Sequence, residues 1–265
     1  MNLEKLISED IKNGYGDANA RAKVCQDIVL KALSKGTMIN NVTIKGGVVM
    51  RSKTKNVRRA TQDIDIDFIK YSLSDDAIKQ FVKGLNTIEG INIKEVGHIE
   101  ELKQKNYNGK RVFVQITDQY GNSLKSKIDL GVHNRFNIEQ EQYCFDIAWD
   151  EVGASLLINS NEQMLVEKLI SLLRLGPIST RYKDVYDIYY LTKHVNKNVV
   201  RMLLEEHVFK NNDLMENNIT DIFLRIQSTF NDFGYKIRFE TSDRKWIDED
   251  NDRIRDVILD FLRVL

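Results

Sequence analysis

With 265 residues, 42% of them apolar, the chain is long enough to bury one large hydrophobic core or two modest ones. Lysine plus arginine and aspartate plus glutamate balance at 39 each, which excludes a global basic field, so any nucleic-acid contact must be a local patch. Two cysteines, Cys25 and Cys144, exclude a disulfide framework, and neither a signal peptide nor a run of roughly 18 apolar residues is evident.

The chain therefore reads as soluble, reduced and cytoplasmic, with no membrane partner. Residues 1 to about 40 read as helical, with Ala20, Ala22, Val24, Ile28, Leu30 and Leu33 in an apolar pattern. From 41 to about 158 strands dominate, broken by one helix at Ser74 to Leu85. An apolar strand at Val42–Ile44 leads into Gly46-Gly47 and a short apolar turn, Val48 to Met50. Glycines at such a point let backbone N–H groups approach a phosphate, and a following helix N-terminus favours the anion. Arg51 to Arg59 then carries five cations and no acid: either a solvated loop, or a contact for phosphate at the mouth of a site.

From Gln62 to Phe68 every second residue is aspartate, which predicts a strand with Asp63, Asp65 and Asp67 on one face and Ile64, Ile66 and Phe68 on the other. Such anions stand roughly 6.6 Å apart and repel one another. They read either as a solvated edge face or as ligands for a cation, with Mg²⁺ the natural choice for hard carboxylate oxygens. Further strands are expected near Ile91–Glu95, Arg111–Thr117 and Leu124–Val132, with a hairpin turn at Asp118 to Asn122; Tyr143–Ile147 and Ser155–Ile158 complete the sheet. Asp129 falls on the polar face of its strand. Alone it reads as an exposed aspartate, but beside the Asp63/Asp65 strand it would supply a third carboxylate.

From Glu162 onward the chain reads as helical. In the helix from Glu162 to Leu175, Lys168 falls inside the apolar arc between Met164 and Leu172, where it either snorkels outward or meets an anion. In the next helix Lys183, Asp184 and Asp187 lie away from the apolar side and read as a solvated face with an i,i+4 pair. Ile254, Val257, Ile258, Phe261, Leu262 and Leu265 form a final stripe that must be buried.

In order and spacing, Gly46-Gly47 with Arg51, then Arg59-Ala-Thr61-Gln-Asp63-Ile-Asp65, the lone strand Asp129, Lys168-Leu169 and Lys183-Asp184-Val-Tyr-Asp187 resemble the AbiEii/AbiGii toxin nucleotidyltransferases. These belong to the DNA polymerase β-like nucleotidyltransferase superfamily, and the resemblance spans about residues 44 to 191. It implies an α+β protein: a mixed-sheet nucleotidyltransferase core with N-terminal helices over 1–158, and a helical C-terminal domain over 159–265. It also implies transfer of NMP from an NTP to an acceptor hydroxyl on tRNA or protein. The setting would be a type IV toxin–antitoxin or phage abortive-infection system with a cognate antitoxin.

By the same resemblance Asp63, Asp65 and Asp129 would hold Mg²⁺ or Mn²⁺, with Asp129 also drawing the proton from the attacking hydroxyl. Gly46, Gly47, Arg51 and Thr61 would meet the triphosphate, Lys168 would neutralise its charge, and Lys183, Asp184 and Asp187 would close the pocket. The superfamily usually has Gly-Ser where this chain has Gly46-Gly47, so a hydroxyl contact must come from Thr61 or Ser52 or be absent. Two other functions fit the same residues. One is adenylylation of a small molecule such as an antibiotic; the other is nucleotide or partner binding without chemistry.

Overall fold

Period-two alternation of apolar and polar residues builds the first of two units, Met1–Asn159, and a 3.6-residue period builds the second, Ser160–Leu265. The computed structural model describes residues 1–104, 107–133 and 140–265. The first unit runs α1 (Leu3–Lys12), α2 (Asp17–Lys35), β1 (Val42–Lys45), α3 (Gly46–Thr54), β2 (Ile64–Phe68) and α4 (Asp75–Gly84). It continues through β3 (Ile91–Glu95), β4 (Glu100–Gln104), β5 (Tyr107–Asp118), β6 (Ser123–Val132), β7 (Glu141–Ile147) and β8 (Asp150–Ile158).

Among the described residues these strands form one mixed sheet in the order β3-β5-β6-β2-β1-β8-β7, with β4 also paired to β5. The β2–β6 and β1–β8 pairs are parallel and the others antiparallel. Ile64, Ile66 and Phe68 of β2, Ile128 and Leu130 of β6, and Val112, Val114 and Ile116 of β5 are fully buried. Each such side chain contributes about 1.5–3 kcal/mol through removal from water. Helix α2 packs on β6, β7 and β8, and α4 packs beside β3. Phe81 of α4 meets Phe68 edge to face at 5.0 Å between ring centres. Helix α4 starts where Ser74 accepts from the Ala77 amide, with Asp75 and Asp76 in its first turn, the favourable end for acids.

Two sequence expectations are corrected, and one strand is added to them. Val48 to Met50 are part of helix α3, not a turn; three apolar residues in a row are too few to show a helical period. The basic stretch from Arg51 to Arg59 is not a uniformly solvated loop. It finishes α3 and forms a short 3₁₀ turn at Val57–Arg59, and Arg51 and Arg59 are buried. Strand β4 was not foreseen, because Glu-Glu-Leu-Lys-Gln carries the charges that keep an outer strand from pairing further rather than a strand's usual apolar residues.

Arg51 belongs to a buried ionic network joining the first three helices. Lys23 of α2 bridges Asp10 of α1 at 3.0 Å and Asp27 of α2 at 2.7 Å, and Arg51 of α3 donates to Asp27 at 3.1 Å. Burial raises the Asp10 carboxyl above its usual range, against the pull of Lys23. Lys23, also desolvated, is held above its usual value by Asp27 and Asp10.

The second unit comprises α5 (Asn161–Leu175), α6 (Tyr182–Leu191), α7 (Lys197–Leu204), α8 (Ile219–Asn231), α9 (Phe233–Glu240) and α10 (Asn251–Arg263). Ser160 and Gln163 form a reciprocal capping box that starts α5. Tyr182 and Tyr186 of α6 pack with Tyr235 and Phe239 of α9, and Ile254, Ile258, Phe261 and Leu262 bury one side of α10. Among the described residues no helix is long and apolar enough to cross a membrane.

Replacing Asp27, 1% exposed, by alanine removes the carboxylate that both Lys23 and Arg51 contact directly and leaves Asp10 as the one anion of the network. Asp27→Ala is expected to lower the unfolding free energy by about 3–5 kcal/mol. Urea titration of the purified variant checks this, and a loss below about 1 kcal/mol would show the network to be dispensable.

Candidate active site

The sheet registers bring the charged residues of five strands into one line. Glu100 of β4 pairs with Arg111 of β5, Arg111 with Asp129 of β6, Asp129 with Asp65 of β2, and Asp65 with Lys45 of β1. Residues opposite one another on neighbouring strands share a face, so this line of alternating and adjacent charges crosses the polar side of the sheet. Asp67 shares the face of Asp65 on β2, and Asp63 immediately precedes the strand.

The cations are not shared evenly among these carboxylates. Lys127 lies 2.8 Å from Asp63, Lys45 lies 2.7 Å from Asp67, and Arg111 grips Asp129 through both oxygens at 2.7 and 2.8 Å. The Asp65 carboxylate makes no hydrogen bond or ion pair among the described residues. Burial, opposed only by Lys45 and reinforced by the charges of Asp129, Asp63 and Asp67, pushes its carboxyl up from 3.8 to about 6.

Gly46 lines this carboxylate, and Gly47 lies against Thr61. Gly46 has φ of +66°, a left-handed conformation costly for other residues, and a side chain there would collide with Oδ2 of Asp65. A Cβ on Gly47 would stand 2.6 Å from Oγ1 of Thr61. Glycine is thus required twice over, by backbone angle and by closeness to Asp65 and Thr61. Gln26 of α2, wholly buried, donates to the Thr61 carbonyl at 2.8 Å and the Asp63 carbonyl at 3.4 Å, tying the loop before β2 to the helix beneath.

Of the residues singled out in the sequence, Gly46, Gly47, Thr61, Asp63, Asp65 and Asp129 come together here. Arg51 does not: it is 7% exposed and turned to Asp27. Ser52, the other candidate hydroxyl, meets the Tyr143 hydroxyl at 3.1 Å. Lys168, Asp184 and Asp187 form a cluster within the second unit. There Lys168 lies 2.8 Å from Asp184 and 2.7 Å from Asp187, and Asp187 is fully buried, so its face of α6 is not solvated as periodicity suggested. Lys183 is half-buried on the same helix.

Lys45, Arg111, Lys127, Glu100 and Gln26 escaped the sequence reading. Alternation places Arg111 and Lys127 on polar faces, but only the strand register says which acids they oppose.

The donor set suits a hard divalent cation. Mg²⁺ is commonly held by one or two carboxylates plus substrate phosphates, and here Asp65 stands beside Asp129 with an uncompensated charge and a glycine keeping the space at Oδ2 clear. Among the described residues no three His, Cys, Asp or Glu side chains stand together as a ready-made metal site.

The chain is a nucleotidyltransferase, and its family shows it. A family described as nucleotidyl transferase AbiEii toxin of type IV toxin–antitoxin systems matches residues 28–258, and the chain belongs to it. Among solved structures, it is similar to the antibiotic-resistance factor ANT(2'')-Ia, at 18% identity and TM-score 0.41, over 69% of this chain and 88% of that one. It is also similar to an antigenic nucleotidyltransferase-like protein from Paracoccidioides brasiliensis, at 14% identity and TM-score 0.44, over 76% and 94%. No curated protein sequence matches.

The raised Asp65 carboxyl has a testable sign. The folded state holds this proton more tightly than the unfolded chain, so its contribution to stability is present below about pH 4 and is lost as pH rises through about 6. Asp65→Asn is therefore expected to be more stable than the parent at pH 7.5, with the gain vanishing near pH 4. Denaturation midpoints across that range check it, and a constant difference would refute it. Gly46→Ala, by contrast, is expected to cost at least about 1–2 kcal/mol at every pH, because the left-handed angle is penalised whatever the charge of Asp65 and the added Cβ also meets Asp65; the same titrations measure it.

Proposed function

We propose that the chain is the toxin of a type IV toxin–antitoxin pair acting in phage defence, and that it moves NMP from an NTP to a hydroxyl of an RNA acceptor, tRNA above all, or of a protein, with the α–β phosphoanhydride bond broken and pyrophosphate leaving. The observation that carries this is Asp65, an uncompensated carboxylate in register with Asp129 and against a glycine turn. In this reading Asp63, Asp65 and Asp129 would hold Mg²⁺. When bound, the ion neutralises phosphate charge and lowers the pKa of the attacking hydroxyl.

The chain's own residues do the rest. Gly46 and Gly47 leave room for phosphate oxygens to reach backbone N–H groups at the start of α3, and Thr61 offers a hydroxyl beside them. Asp129 accepts the proton released by the acceptor hydroxyl. Gln26 fixes the loop carrying Thr61 and Asp63, so positioning rather than covalent chemistry lowers the barrier. Lys168, Lys183, Asp184 and Asp187 belong to the same proposal as nucleotide-binding residues: the ammonium of Lys168, held between two carboxylates, is poised to exchange one for a phosphate.

Incubation with each labelled NTP, Mg²⁺ and either total tRNA, protein extract or an aminoglycoside tests this directly. Label is expected on RNA or protein, and Asp63→Ala or Asp65→Ala should lower the rate by at least about a thousandfold while the fold survives. Label on the aminoglycoside alone would replace the toxin reading with small-molecule modification. Turnover retained without Asp65 would remove the metal assignment.

A further inference from the structure

The fork of Arg111 uses both oxygens of Asp129, Nε on Oδ1 at 2.7 Å and Nη2 on Oδ2 at 2.8 Å. Bidentate pairs of this kind are the stronger class of charge-assisted hydrogen bond. A cation approaching Asp129 therefore meets a resident cation first. On the far side of Arg111, one strand further out, stands Glu100, its cross-strand partner on the same face. Glu100 already acts through space on the guanidinium, and its side chain is 40% exposed. Its ionic neighbour is His98 at 3.6 Å, itself largely exposed. Arg111 thus lies between two carboxylates and hydrogen-bonds one of them.

We infer that Arg111 is a positioning residue with two stations: it closes Asp129 while no divalent ion is bound, and passes to Glu100 when an ion takes Asp129 together with Asp65. The inference rests on the metal reading proposed above. It involves no bond making or breaking, only an exchange of ionic partners. The line Glu100–Arg111–Asp129–Asp65 supplies each participant from an adjacent strand, so the side chain turns while the backbone stays paired. Arg111 would then set how much free metal the protein needs before Asp129 becomes available.

A supporting role and a competing role predict opposite signs. Residues that merely orient metal ligands cost about 10–100-fold in metal affinity when removed. A competitor's removal tightens binding. Mn²⁺ binding to the full chain, without nucleotide, can be followed by loss of the free-ion electron paramagnetic resonance signal, for the parent, Arg111→Gln, Glu100→Gln and Asp65→Asn. Arg111→Gln is expected to bind Mn²⁺ roughly tenfold more tightly than the parent, the size of coupling common between linked sites. Glu100→Gln should bind several-fold more weakly, because the guanidinium has lost its second station. Should Arg111→Gln fail to fold, the exposed Glu100→Gln carries the test.

Equal or weaker binding by Arg111→Gln, with Asp65-dependent binding in the parent, overturns the inference and leaves the metal site standing. Absence of saturable binding in every protein, or binding indifferent to Asp65→Asn, overturns both.

Discussion

Everything at the polar face of the sheet answers to electrostatic repulsion among four aspartates, three on two neighbouring parallel strands and one just before the first of them. Packing alone would have filled those positions with threonine or serine at no cost. Instead the fold holds Asp63, Asp65, Asp67 and Asp129 close enough to disturb one another, and offsets three of them with Lys127, Lys45 and Arg111. The fourth is left with a raised carboxyl. Strain of this kind persists only where surrounding structure outweighs it, and here that structure is the fully buried apolar side of the same strands.

The glycine pair and the ionic network beneath it belong to the same arrangement. Gly46 can approach Asp65 only because β1 and β2 are antiparallel neighbours with Lys45 opposite Asp65, which delivers the end of β1 to that carboxylate. Helix α3 then leaves the sheet, and Arg51 fastens it to α2 through Asp27. Gln26, the residue before Asp27, fastens the loop carrying Thr61. Two consecutive residues of one helix thereby fix both walls of the glycine turn.

Much of this was legible in the sequence where a single period ruled. The aspartate alternation of 62–68, the hairpin at Asp118–Asn122, the helix carrying Lys168 and the last helix all follow from local pattern. Relations between strands were not legible, because register depends on which strands meet. That Arg111 opposes Asp129, and Glu100 opposes Arg111, is a property of pairing across the sheet. Burial misled in the same way. Arg51 and Asp187 look like surface charges in sequence, yet each is buried because a partner far along the chain neutralises it.

The family match begins at residue 28, so it omits α1, most of α2, and with them Asp10, Lys23, Gln26 and Asp27. Those residues nonetheless brace the glycine turn and the carboxylate loop. The candidate site residues and part of their scaffold therefore lie on opposite sides of the boundary of the shared span. A minimal fragment cut to the shared span would keep every candidate site residue and lose the clamp that holds them in place.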